Sequence, residues 1–326
     1  MPSSPVRRLS MGKIPIDILN STVLKLTGAE SDRVTTPSRA GLDFAAVRAG
    51  DGFVVISADP VTGVSKGIGT YAMRVSANDV ATSGHRPQFA ESVILLPEGS
   101  TRQHVAKIAR QIHEAAMGLG IAILGGHTEV TPGLRHPIVI TTVFSYVGDY
   151  ITSGDAKPGD AIVMTKTAGM EGTAVLEGSK SFLDQLSVVD EAVAAYGTGF
   201  VHAMHDCTEG GVLGAAFEMS LASGLGFELE ESAVPVATQT SKLCQKWAID
   251  PLKLIGSGAL LLAVEKGKER DVSKALSPLR VSAVGTFTKS GRVLVRKGGA
   301  RLTLREAPED ELWRALARTS GRRYRL

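Results

Sequence analysis

Cysteine is nearly absent from this chain. Only Cys207 and Cys244 occur in 326 residues, too few for a disulfide framework or a four-cysteine zinc site, so a reducing cytoplasm is the expectation. Charge of one sign is missing too. Lys and Arg number 36 against 33 Asp and Glu, a net charge of +3. A dedicated nucleic-acid binder carries a much stronger basic bias, so no such partner is expected. No apolar run approaches the roughly 18 residues of a membrane span. The longest, Ala259 to Val264, suits a buried strand, and no membrane partner is expected. Aromatics are scarce at 5%. The chain contains no G-x-x-x-x-G-K-[ST], no G-x-G-x-x-G after a strand and no G-x-S-x-G. These absences set aside P-loop, Rossmann and nucleophile-elbow sites.

Glycine is abundant instead, with 36 residues clustered where apolar runs end. Phe53–Ser57 reads as a buried strand that Ala58-Asp59-Pro60 terminates. Gly63–Gly69 reads as a glycine-rich loop. Thr70–Thr82 follows as a helix capped by Thr70 and stopped by Gly84 and Pro87. Gln88–Leu96 is a strand and Arg102–Leu119 a helix closed by Gly120. Ile121–Leu124 is a short strand entering a Gly125–Thr128 loop, and Ile138–Val147 is another strand. The polar stretch Ser153–Asp160 places a domain boundary near residue 155. Beyond it, Ala161–Lys166, Leu260–Val264, Val281–Val284 and Val293–Val295 read as strands and Gly210–Ala222 as a helix. Pro308–Arg318 reads as a docked amphipathic helix. The fold class is α/β (α+β) in two domains. Residues 1–12 form a disordered N-terminal segment, 13–154 the first domain and 155–326 the second, with a frayed basic tail at Gly321–Leu326.

Acids in the first half carry the chemistry. Asp43, Asp59 and the pair Asn78-Asp79 lie beside strand ends and glycine. Carboxylates with nearby backbone N–H groups suit Mg²⁺ and phosphate. Singly, each acid reads as a solvated loop residue or a helix cap; the set is more informative. The apolar periodicity of Tyr71, Ala72 and Val75 turns Asn78 or Asp79 inward, where a carboxylate needs a partner or a metal. In the second half, His202, His205 and Cys207 imitate a zinc site but lack a fourth ligand at a characteristic spacing. Asp206-Cys207-Thr208-Glu209-Gly210-Gly211 reads better as a turn opening a helix whose N-terminus approaches an anion. Cys244, among Leu243, Trp247 and Ile249, reads as core.

Taken in order, these residues resemble the superfamily of aminoimidazole ribonucleotide (AIR) synthase, the hydrogenase maturation protein HypE, selenophosphate synthetase and thiamine-monophosphate kinase. The resemblance runs from about Gly12 to about Val295. It rests on Gly12-Lys13, the G-x-D-x-A-V motif at Gly41–Val47, Asp59, the N-D-x-x-x-x-G segment Asn78–Gly84, the G-G-[DHE]-T motif Gly125–Thr128 and the D-x-T-x-G-G motif Asp206–Gly211. Glu231-Ser232-Ala233-Val234-Pro235 resembles a stretch of HypE.

The resemblance implies two α/β domains, the first pairing through its sheet in a homodimer, with ATP and Mg²⁺ between the domains. By matched position, Asp43, Asp59 and Asp79 hold Mg²⁺. Asn78, Gly125, Gly126, His127, Thr128, Gly210 and Gly211 bind the nucleotide. Lys13, on a mobile segment, and Asp206 serve catalysis. The implied chemistry is ATP-dependent phosphorylation of an amide- or carbonyl-type oxygen, on a small molecule or a protein-borne group. The sequence departs from HypE in two places. It ends Arg323-Tyr324-Arg325-Leu326 without the substrate-bearing cysteine, and Ile255-Gly256-Ser257-Gly258 stands where HypE carries a Glu before the Gly. A HypE-like enzyme acting on a non-tethered substrate is therefore the expectation. AIR synthase itself, favoured by Gly125–Gly133 with its closing Pro-Gly, and a non-catalytic ATP-binding scaffold are the alternatives.

Overall fold

The computed structural model describes residues 9, 11–62, 67–178 and 182–319. The expectations for most of residues 1–10, for Gly63–Lys66 and for the Gly321–Leu326 tail lie outside the described residues.

The first half runs α1 (Ile16–Ser21), β1 (Val34–Thr36), β2 (Ala45–Ala49), β3 (Gly52–Val61), α2 (Ile68–Ala81), β4 (Phe89–Leu96), α3 (Arg102–Leu119), β5 (Ala122–Val130) and β6 (Ile138–Val147). Its strands form one sheet in the order β1-β2-β3-β6-β4-β5, antiparallel except where β5 lies parallel to β4. The second half runs β7 (Ala161–Thr165), α4 (Met170–Glu177), α5 (Val189–Tyr196), β8 (Val201–Asp206), α6 (Gly211–Ser223), β9 (Gly226–Glu230), α7 (Thr238–Trp247), β10 (Leu260–Val264), α8 (Glu269–Ala275), β11 (Val281–Thr288), β12 (Arg292–Val295), β13 (Arg301–Thr303) and α9 (Glu311–Thr319). Its sheet has the order β13-β12-β9-β11-β7-β10-β8. Among the described residues no helix is long and apolar enough to cross a membrane.

Local chemistry accounts for the principal elements. Thr101 caps α3 in a reciprocal box with His104, and left-handed Gly120 ends it. Its buried residues Ile108, Ile112, Ala115 and Ala116 recur at helical spacing on one face. β7 and β10 are buried along their whole length and read as continuous apolar runs, as fully covered strands do. Gly41 has φ +89°, and a Cβ there would lie 2.3 Å from the Glu218 carbonyl oxygen, so only glycine lets this segment rest on α6.

Three boundaries differ from the sequence reading. α2 begins at Ile68 behind left-handed Gly67, so Thr70 lies within the helix rather than capping it. The Gly125–Thr128 stretch is not a loop but the middle of β5, because β4 supplies a parallel ladder that keeps it extended. β11 runs on to Thr288, well beyond Val284.

One apolar core joins the halves. Val55, Ala72 and Val143 from the first belong to the same cluster as Val188, Met204 and Leu262 from the second. α2 is the shared wall, touching β3 and β6 on one side and α5 and β8 on the other. Asn78, fully buried on α2, fastens this wall. Its Nδ2 donates to the Leu186 carbonyl at 2.8 Å, and its Oδ1 accepts the Val188 N–H at 2.9 Å. Asn78→Ala orphans both backbone groups at about 1–3 kcal/mol each, so a loss of about 2–6 kcal/mol in unfolding free energy is expected. Urea titration checks it; a loss below about 0.5 kcal/mol, the usual scatter of an innocuous substitution, would contradict the clamp.

Candidate functional site

Four of the sequence-predicted residues meet at this wall. Asp59 lies near the end of β3, and Asp79, 7% exposed, is on α2. Asp206 ends β8, 1% exposed, and Asp43 precedes β2. Ser57 Oγ donates to Asp79 Oδ2 at 2.6 Å, and Asp79 and Asp59 share a further hydrogen bond, which needs a proton on one of them. Burial, then the charges of Asp59, Asp206 and Asp43, hold the Asp79 carboxyl well above the usual carboxylate range. Burial and the Asp43 charge push Asp206 up in the same way, against the pull of His205 and Lys13. Asp206 Oδ2 is buried without a hydrogen-bond partner, as is Thr141 Oγ1, which stands directly opposite Asp59 in the β3–β6 register.

A run of alternating charges lies beside the acids. Lys13 Nζ meets Glu218 Oε1 at 2.7 Å. The other Glu218 oxygen meets His205 Nε2 at 2.9 Å, and His205 Nδ1 pairs with Asp43. Burial alone would lower the His205 imidazole, but the Asp43 and Glu218 carboxylates raise it to about 10. Burial likewise opposes ionisation of Glu218, yet Lys13 and His205 bring it down to about 2. The Lys13 ammonium is raised by Glu218 against its own desolvation. Its backbone N–H also donates to Glu209 Oε1 at 2.9 Å, and Trp313 Nε1 of α9 donates to the same oxygen at 2.8 Å. Lys13 is therefore docked between α6 and α9, not carried on a free segment.

The structure revises other expectations. Asn78 bonds the core backbone with both ends of its amide, to the Leu186 carbonyl and from the Val188 N–H. At the N-terminus of α6 the anion is the chain's own: Gly210 N–H donates to Asp310 Oδ2 at 2.6 Å. Gly211 is packed against the Leu254 carbonyl, 2.6 Å from where its Cβ would stand, so its glycine character serves close packing. Gly125, Gly126, His127 and Thr128 lie on the exposed edge strand. Gly126 sits in one cross-strand row with Ser92, Thr141 and Asp59. Three strand spacings place it about 14 Å from Asp59. Within one chain, that motif does not join the acids. His127 turns instead to Glu129 at 3.1 Å. A cavity of about 260 Å³ lined by Ile68, His104, Gln111 and Pro137 contains none of the predicted residues. His202 pairs with Asp160 and His205 with Asp43 and Glu218, so the two imidazoles face different partners.

His205 and Glu218 were not singled out for this work from the sequence. A signal existed for Glu218. It is the one carboxylate in α6, a helix otherwise apolar or small and buried on nearly every side. Such a residue must find a buried partner.

With the geometry set out, comparison decides the family. The model of AIR synthase related protein, N-terminal domain, matches residues 41–147, and that of the C-terminal domain matches 157–297. The chain belongs to the AIR synthase related family. The Escherichia coli protein named carbamoyl dehydratase HypE is 31% identical over 261 residues, 76% of each chain. A chain in the HypE–HypF complex superposes with a TM-score of 0.75 at 20% identity, covering 88% of this chain and 99% of that one. HypE in complex with ATP gives 0.71 at 22% identity, covering 80% and 87%. The two-domain AIR synthase fold is thus established.

The charged run sets the pH dependence of stability. His205 is raised on folding, so its contribution is complete below about 6.5, its unfolded value, and is lost as pH rises through about 10. Glu218 is lowered, so its contribution is present above about 4.5 and is lost as pH falls through about 2. His205→Gln strands Asp43 and Glu218, at about 3–5 kcal/mol for a broken buried pair. The expected stability gap from wild type is constant between pH 5 and 6.5 and narrows toward pH 10. A gap that widens with pH would contradict the assignment.

Proposed function

We propose that this protein is an ATP- and Mg²⁺-dependent enzyme of the HypE-like group that phosphorylates an amide- or carbonyl-type oxygen. The observation that carries the reading is the convergence of Asp43, Asp59, Asp79 and Asp206, with Asp79 and Asp206 raised first by burial and then by the charges of neighbouring acids. Oxygen-only donors and the unpartnered Asp206 Oδ2 fit a hard divalent cation. Among the described residues no three His, Cys, Asp or Glu side chains already form a metal cage. Mg²⁺ takes one or two carboxylates and completes its shell with phosphate oxygens and water. Asp59, Asp79 and Asp43 would hold it, and when bound it would neutralise triphosphate charge. The ATP-bound HypE structure supports nucleotide binding in this fold.

The chain's own residues do the rest. Asp206, beside His205 and within the field of Lys13, faces the same acids from the second domain. The Lys13 ammonium, paired with Glu218 but 52% exposed, would attract phosphate. Rate then comes from positioning and charge neutralisation rather than covalent chemistry. The substrate group is not carried on a thiol of this sequence, because Cys207 and Cys244 are both buried. The relatives' name, carbamoyl dehydratase, favours a carbamoyl-type substrate, and the HypE–HypF complex favours one delivered on a protein.

The second copy expected for the first sheet has a surface to meet. Val54, Ile56, Val93, Ile140 and Phe144 are only half-buried, and Leu124 and Val130 on the β5 edge are 58% and 54% exposed. Light scattering should give twice the chain mass of 34.2 kDa; a monomer at micromolar concentration would exclude that pairing.

Asp79→Asn separates function from fold. It removes a carboxylate that is costly to ionise in place, so the ligand-free midpoint should hold or rise, while Mg-ATP affinity falls at least tenfold. Wild type at a hundredfold excess of Mg-ATP over Kd should gain about 2.7 kcal/mol. Calorimetry and thermal shift read both. Unchanged affinity in the variant would remove Asp79 from the site. Mg-ATP binding without ADP release on any amide acceptor would instead favour a non-catalytic nucleotide-binding protein.

A further inference from the structure

Glu171 is a buried acid that the reading above leaves unused. It occupies the first turn of α4 and is 8% exposed. Ser257 hydrogen-bonds its carboxylate, while its Oε2 is buried with no partner. Native folds satisfy nearly all buried polar atoms, so an orphaned carboxylate oxygen calls for a partner from outside the chain, whether water, ion or ligand. The orphans among the described residues are Thr141 Oγ1, Asp206 Oδ2 and Glu171 Oε2. The first two belong to the acid cluster. Backbone bonds tie the third to it. Gly172 N–H donates to the Ile255 carbonyl at 2.9 Å, and Gly256 N–H donates to the Cys207 carbonyl at 3.1 Å, one residue beyond Asp206. From the first domain Tyr71 on α2 faces Glu171, whose charge, after burial, raises the phenol. Glu171 therefore lies between Tyr71 of the first half and the turn that follows Asp206, and the charges it meets are Asp310 and Glu209.

We propose that Glu171 is the base that takes the acceptor's proton during phosphoryl transfer. This rests on the ATP-dependent reaction proposed above. For a primary carbamoyl acceptor the carbonyl oxygen forms the new bond to the γ-phosphorus. The β,γ-bridging P–O bond breaks and its electron pair leaves with ADP. An N–H proton moves to Glu171 Oε2 as the C–N bond becomes C=N, giving an O-phosphorylated imidate. Ser257 holds the carboxylate so that Oε2 is the oxygen presented. Burial brings this carboxyl up to about 7; Ser257 opposes the rise, and Asp310 and Glu209 add to it. A base poised near neutral pH transfers protons most effectively there. The titratable groups facing it are Tyr71, Glu209 and Asp310; α7 meets α4 through the neutral Thr173–Thr240 bond.

The test uses wild type, Glu171→Gln and Ser257→Ala with N-acetyl-S-carbamoylcysteine as the acceptor probe and Mg-ATP. Glu171→Gln should keep Mg-ATP affinity within twofold and fold as stably as wild type, yet lose at least a hundredfold in probe-dependent ADP release. The wild-type rate should rise through about pH 7 and lose that limb in Glu171→Gln; Ser257→Ala should move it to higher pH. Unchanged turnover and pH profile in Glu171→Gln would overturn the proposal, as would a parallel loss of Mg-ATP affinity. Independently of turnover, the ¹³C-carboxyl resonance assigned by Glu171→Gln should titrate near pH 7 and shift when the probe is added with Mg-ATP. A resonance indifferent to the probe overturns the proposal even if no ADP is released. Failure of wild type to bind Mg-ATP is a different result, which removes the proposed function itself.

Discussion

The burial of carboxylates beside other carboxylates is the constraint around which this molecule is organised. Asp43, Asp59, Asp79 and Asp206 come from a loop, a strand, a helix and the end of a second-domain strand, yet each is felt by another. Folding alone leaves the cluster under-compensated. Burial and then the neighbouring acids hold Asp79 well above the usual carboxylate range, and Asp206 keeps an oxygen without a partner. A fold evolved only for stability would replace such groups with apolar ones. Retaining them makes physical sense where a cation is part of the working state, because the same charges that destabilise the empty site then become its ligands.

The neighbouring charges obey the opposite rule. Lys13, Glu218, His205 and Asp43 alternate in sign, and each compensates the next. This run crosses from the N-terminal segment through α6 and β8 to the loop before β2, so it fastens the halves electrostatically where Asn78 and the common apolar core fasten them mechanically. The acids come from both halves, so this fastening also fixes their relation to one another. The pairing also removes His205 from any role as a free imidazole at neutral pH, since its proton is held by two carboxylates.

Much of the fold was legible because the pattern is strong. The capped α3, the all-apolar β10 and the amphipathic α9 follow from spacing and end signals within the segment itself. The convergence of Asp43, Asp59, Asp79 and Asp206 was legible only through the ordered motifs, since no local rule brings residues so far apart together. Three things were not legible. Gly125–Thr128 is extended because a parallel neighbour holds it, which its own sequence does not encode. The backbone partners of Asn78 were not legible because a buried amide reads alike whether it meets a ligand or the backbone. The anion at α6 turned out to be Asp310, a hundred residues downstream. Glu171 carried no motif, and only its burial and its orphaned oxygen distinguish it.

Proton release on nucleotide binding is the most direct measure of the central claim. Acids whose ionisation is opposed by burial and by neighbouring carboxylates give up protons when a cation binds among them. Calorimetric titration of Mg-ATP at pH 6 in buffers of different ionisation enthalpy counts those protons. The account predicts net release by wild type, abolished or strongly reduced in a variant carrying both Asp79→Asn and Asp206→Asn. Binding with no proton released, or with protons taken up, would contradict the premise that these carboxylates exist to receive a cation.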